Sequence, residues 1–81
     1  MVESQPDERA MAAAHVQAAQ LQARLSRLCQ RIAEVEDELA RTLCEVATTA
    51  SPDRAQRLHA HAAEARAFAE KERSLAAQLA E

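Results

Sequence analysis

The chain has no glycine, no tryptophan and no tyrosine; proline occurs only at Pro6 and Pro52, and Phe68 is the single aromatic residue. Without glycine there is no phosphate-cradling loop and no nucleophile elbow. With one aromatic, bases have no stacking platform, and a net charge of −3 leaves no basic stripe for phosphates. Ser4, Ser26, Ser51 and Ser74 lie in no Ser/His/Asp setting, and two helices enclose no substrate-sized pocket. These absences argue against an enzyme and against a nucleic-acid-binding protein. The longest charge-free run, residues 10–23, is too short and too polar to span a bilayer, and no richly basic face suits a membrane surface. No basic stretch followed by an apolar one opens the sequence, so a cytoplasmic protein is expected.

What is present is alanine, 21 of 81 residues, with leucine, arginine, glutamate and glutamine. Such a composition favours helix and supports no strand, so the fold class is all-α. Nine of the ten basic residues are arginine, which with the alanine excess fits coding in a GC-rich bacterial genome. A chain of this size, rich in small side chains, buries little surface by itself, and sharing a core between copies is the natural supplement.

An apolar or small residue recurs at alternating steps of three and four along Met11, Ala14, Ala18, Leu21, Leu25, Leu28, Ile32, Val35, Leu39, Thr42 and Val46. A period of 3.5 keeps a narrow face turned towards a partner helix over the whole length. The segment Thr48-Thr49-Ala50-Ser51-Pro52-Asp53 then ends one helix and starts another: serine as N-cap, proline at the first helical position, aspartate in the first turn. The same grammar around Pro6, Asp7 and Glu8 starts the first helix. The expected organisation is a disordered 1–5, helix one over about 6–48, a turn at 49–51 and helix two over about 52–80. So short a connection makes an antiparallel, coiled-coil-like hairpin.

Helix two carries a poorer stripe, Leu58, His61, Ala65, Phe68, Glu72, Leu75 and Leu79. Folding back about Ala50 and Ser51 sets Leu58 near Leu43, Phe68 near Ile32, and Leu75 and Leu79 near Leu25 and Leu21. Charges agree with that register: Arg57 falls opposite Glu45, Arg66 opposite the acidic run 34–38, and Glu70 and Glu72 opposite Arg27 and Arg31. Residues 21–46 are then expected to satisfy themselves against helix two. Residues 7–20, uncharged over most of their length, protrude as an arm in which Met11, Ala14, His15 and Ala18 offer a surface to a second copy or to another protein.

Arg24, Arg27 and Arg31 mirror Glu38, Glu36 and Glu34 about a centre near position 31 or 32, as a twofold pairing of two first helices requires. The alternative is pairing within the helix, such as Arg31 with Glu34. A homodimer forming a four-helix bundle is expected, its interface formed by Met11, Ala14, His15, Ala18, Leu21, Leu25, Leu28, Ile32, Val35 and Leu39. Cys29 and Cys44, about 22 Å apart along one helix, cannot pair within it and read as small apolar fillers. A redox role for Cys29 rests on the nearness of Arg27 and Arg31.

His59, His61 and Glu64 form the one histidine cluster, whose His-x-x-Glu spacing makes a metal-binding bundle a third possibility. No cofactor is expected. The tip Pro52-Asp53-Arg54-Ala55 resembles the acidic-tipped coiled-coil hairpins of the DksA and Gre type, which insert into the secondary channel of RNA polymerase. That resemblance implies a transcription regulator acting through Ser51, Pro52 and Asp53, although Ala50 stands where the family has a second acid and its zinc-finger cysteines are missing. Phe68-x-x-x-Glu72 is similar to the C-terminal signal of the WXG-type secretion substrates, whose Trp-x-Gly turn this chain lacks. The leading expectation is a non-enzymatic interaction module, an adaptor, scaffold or small regulator that works as a homo-oligomer.

Overall fold

The computed structural model describes residues 4–81. Two helices account for nearly all of them: α1, Ser4–Ala47, and α2, Pro52–Ala80. They pack along each other as a hairpin of 76 × 14 × 13 Å. Of the stretch expected to be disordered, Ser4 and Gln5 belong to α1, and residues 1–3 lie outside the described residues. Proline is tolerated in a first helical turn because the amide it lacks has no intrahelical acceptor there, so Pro6 permits the earlier start.

α1 ends without a left-handed residue, as a chain lacking glycine must arrange. The N–H groups of Thr48, Thr49 and Ala50 each donate three residues back, to Glu45, Val46 and Ala47 at 3.2–3.3 Å. The Thr48 hydroxyl also donates to the Glu45 carbonyl at 2.6 Å. Carbonyls left over at the helix end are thus satisfied within four residues. Ser51 then adopts an extended backbone (φ −61°, ψ 157°), and its hydroxyl accepts from the Arg54 amide at 3.4 Å, with Pro52 opening α2 and Asp53 in its first turn.

The core is a seam of alanines. Among the described residues, seven of the nine that are buried are Ala33, Ala40, Ala47, Ala62, Ala65, Ala69 and Ala76; the others are Cys29 and Ser26. Ala40 packs with Ala62 and Ala65, backed by Leu43 and Cys44. Further along, the Ser26 hydroxyl donates to the Ala76 carbonyl at 2.8 Å, locking the far end in the same register. That register lies within one residue of the sequence expectation. The face does not. In α1 the stripe Leu25, Leu28, Ile32, Val35, Leu39 and Val46 is displaced from the seam by the residue that follows each: Ser26, Cys29, Ala33, Glu36, Ala40 and Ala47. In α2 Ala62, Ala69 and Ala76 are buried where His61, Phe68 and Leu75 were expected, while the rest of the expected stripe does face the seam, Ala65 buried and Leu58, Glu72 and Leu79 half-buried.

The reason is steric. Helix axes approach more closely when the contact residues are small, and close approach brings backbone as well as side-chain atoms into dispersion contact. Centring Phe68 and Leu75 would wedge the helices apart and leave the alanines between them poorly packed. The expectation that residues 21–46 satisfy themselves against helix two is therefore overturned for Leu21, Leu25, Leu28, Val35, Leu39 and Val46, which are exposed, while Leu43 packs on the core and Ile32 is half-buried.

Enlarging the seam should cost more than capping errors at the tip. Ala40→Leu and Ala62→Leu are each expected to destabilise the hairpin by about 1–3 kcal/mol through overpacking, and Ser51→Ala by about 1 kcal/mol. Thermal unfolding followed by circular dichroism at fixed protein concentration checks this; a leucine that raised the midpoint would contradict the close-packed seam.

Candidate functional site

Two columns of each helix flank the seam, and they differ in chemistry. One flank is polar. On it Arg73 forms an ion pair with Asp37, the ion pair found among the described residues. On the same flank Arg66 donates to the Cys44 sulfur at 3.5 Å, and His59 Nδ1 lies 3.8 Å from that sulfur. Arg66 therefore reaches Cys44 rather than the acidic run 34–38. Exposed pairs of this kind each add at most about 1 kcal/mol, so they fix alignment more than stability.

The other flank is apolar. Leu25, Ile32, Leu39 and Val46 stand one position before the buried column of α1, and Leu21, Leu28 and Val35 lie just outside them. From α2, His61, Phe68 and Leu75 occupy the corresponding column. In an antiparallel pair these like columns share one side of the seam, and a shallow groove there is lined by Leu39, Leu43, Ala65 and Phe68 with His61, Glu36 and Glu64. Leu28 is 53% exposed, Val35 61% and Phe68 47%, whereas Ala62 and Ala69 are at 0%. Most of the large apolar side chains of this hairpin thus sit outside its core, Leu43 being packed against it. Scattered exposed leucines are ordinary, but a file of them along one face is what partner surfaces carry.

Of the residues singled out from the sequence, Leu21, Leu25, Leu28, Ile32, Val35 and Leu39 all fall on this apolar flank. Met11, Ala14, His15 and Ala18 are exposed on the part of α1 that extends past α2, where Met11 and Ala18 continue the same column. Arg24, Arg27, Arg31, Glu34 and Glu38 point away from the seam, but Glu36 is half-buried within it. The mirror of three arginines and three glutamates is therefore incomplete. Sequence reasoning left Val46 and Phe68 out of the interface; both occur at seven-residue steps in the column preceding the alanines, the signal that places them there.

The histidine cluster is divided between faces, His59 beside Cys44 and His61 beside Phe68. Among the described residues no group of three or more His, Cys, Asp or Glu side chains converges to hold a metal ion. Nor is any described helix long and apolar enough to cross a membrane. Ser51, Pro52 and Asp53 are exposed at the tip, where they perform the capping of α2.

Cys29 is a seam residue, and burial together with the adjacent Glu72 carboxylate pushes its thiol up from the ordinary value. The arginines expected to lower it do not govern its environment. The feature that stands out is an exposed row of large apolar side chains along one flank of an antiparallel helical hairpin. Comparison with protein-family models, with curated proteins and with solved structures finds no match.

The two thiols should separate in reactivity. With the folded protein at neutral pH, a disulfide reagent such as Ellman's is expected to titrate Cys44 first and Cys29 on the order of tenfold more slowly, because the thiolate is the attacking species and both burial and Glu72 oppose it. Denaturant should equalise them. Equal rates in the folded chain would show that Cys29 is not held in the seam.

Proposed function

We propose that the chain is a non-enzymatic helical-hairpin interaction module, an adaptor or small regulatory scaffold, whose working form is a homo-oligomer. One observation carries the reading: the hairpin closes mainly on alanine and leaves Leu21, Leu25, Leu28, Val35, Leu39, Val46, Phe68 and Leu75 exposed along one flank. Covering that flank with a second hairpin gives a four-helix bundle in which large residues fill the centre and alanines the two hairpin seams. Each fully buried leucine or phenylalanine contributes about 1.5–3 kcal/mol, far more than an alanine methyl, so the larger part of the available hydrophobic free energy lies in assembly. The apolar column runs on through Ala18 to Met11, which extends the surface offered to a protein partner beyond the hairpin.

Sedimentation equilibrium tests the reading. The parent chain should assemble at micromolar concentration, and Leu28→Glu with Ile32→Glu should be monomeric while keeping helical circular dichroism, since Leu28 lies outside the seam and Ile32 at its edge. A stable helical monomer in the parent would overturn the proposal.

A further inference from the structure

We infer that the apolar flank is occupied by the same flank of a second copy, with the two α1 helices antiparallel about a twofold axis that passes between residues 33 and 34. This rests on the self-association reading above and specifies its geometry. The apolar flank of α1 consists of two columns, Leu25, Ile32, Leu39 and Val46 in one and Leu21, Leu28, Val35 and Thr42 in the other. In an antiparallel pair, residues of one column meet residues of the other in layers. Centred between Ala33 and Glu34, Ile32 meets Val35 of the second copy, Leu28 meets Leu39, Leu25 meets Thr42 and Leu21 meets Val46. Every layer is apolar on both sides except the one that holds Thr42.

The charges make an independent argument for an antiparallel alignment within one residue of this one. The column bordering the apolar flank on its outer side reads Arg24, Arg31, Glu38 and Glu45, all exposed. These four charges are centred between residues 34 and 35, one residue (about 1.5 Å of rise) from the centre of the apolar layers, so Arg31 comes beside Glu38 of the second copy and Arg24 beside Glu45, and symmetry repeats both pairs. An isologous interface must be complementary to itself, and this column is. A parallel alignment would instead set arginine against arginine and glutamate against glutamate. On its inner side the α1 pair is bordered by Glu36 and Leu43 and by Phe68 and Leu75 of α2, so the second hairpin also covers those two exposed side chains. Glu45 thus replaces Glu36 and Glu34 in the mirror, Arg27 drops out of it, and its centre moves about three positions along the helix.

The test is a charge exchange between two variants. One carries Arg24→Glu and Arg31→Glu, making the column wholly acidic; the other carries Glu38→Arg and Glu45→Arg, making it wholly basic. Each alone should show a homodimer Kd at least about tenfold weaker than the parent, because every flanking pair becomes repulsive. Mixed in equal amounts they should form a heterodimer near parental affinity, and raised salt should shrink the difference. Analytical ultracentrifugation gives the affinities, and native mass spectrometry separates heterodimer from homodimers. A dimeric parent whose variants neither weaken nor prefer each other overturns this alignment while leaving self-association intact. A monomeric parent overturns both. A variant with all four charges inverted that binds the parent better than itself shows a parallel pair and also overturns the alignment.

Discussion

Close approach of two alanine columns is the constraint on which the rest of this molecule depends. A seam built from Ala33, Ala40 and Ala47 against Ala62, Ala69 and Ala76 has no room for a large side chain at its centre. Most of the bulkier apolar side chains are displaced to the flanks, and the two flanks then diverge: arginine, aspartate, His59 and Cys44 on one, leucine, valine and phenylalanine with His61 on the other. Small contact residues determine the distance between the helices, and that distance determines which residues remain to bind something else.

Energetics lead the same way. Alanine contributes little free energy per residue on burial, so a core made almost wholly of it leaves a short hairpin marginal. Conformational entropy opposes folding of every residue in both helices. Stability drawn from a second copy is coupled to concentration, which makes folding and assembly parts of one equilibrium. Ser26, whose hydroxyl is satisfied by the Ala76 carbonyl inside the seam, illustrates what the hairpin obtains instead of bulk: a directional bond that holds register where packing alone is weak.

Much of the fold was legible in the residues. Ser51-Pro52-Asp53 announced the start of α2, and the observed capping bond and extended Ser51 backbone are the chemistry that motif implies. The period of 3.5 and the antiparallel register also could be read, the latter to within one residue. The phase could not. α1 carries two stripes of the same period one residue apart, alanine with cysteine and serine in one and large apolar residues in the other. Periodicity reports that a helix has partners without saying which stripe meets which partner, and the bulkier stripe draws attention because hydrophobicity is weighed by size. Choosing between them needs the distance between axes, which the alanine column of α2 determines and a reading of α1 alone misses. Cys29 is the small buried filler it reads as, but the redox idea looked to its sequence neighbours, the arginines, whereas its neighbour across the seam is Glu72.

The two stripes also explain how one helix can serve two interfaces without frustration. Heptad columns adjacent on the helix surface stand about 50–100° apart at 100° per residue, enough for one to face α2 while the next faces elsewhere. Had both stripes been leucine-rich, α2 could have packed on either, and hairpin and assembly would have competed for the same side chains. Alanine in one stripe and leucine in the other removes the degeneracy. The alanine stripe accepts only a partner that is itself small, which α2 is along Ala62, Ala69 and Ala76. The leucine stripe pairs with a like stripe, and a second copy supplies one with the charges already reversed along its edge. Specificity between folding back and assembling thus resides in side-chain volume, and orientation of the assembly in the order of four charges.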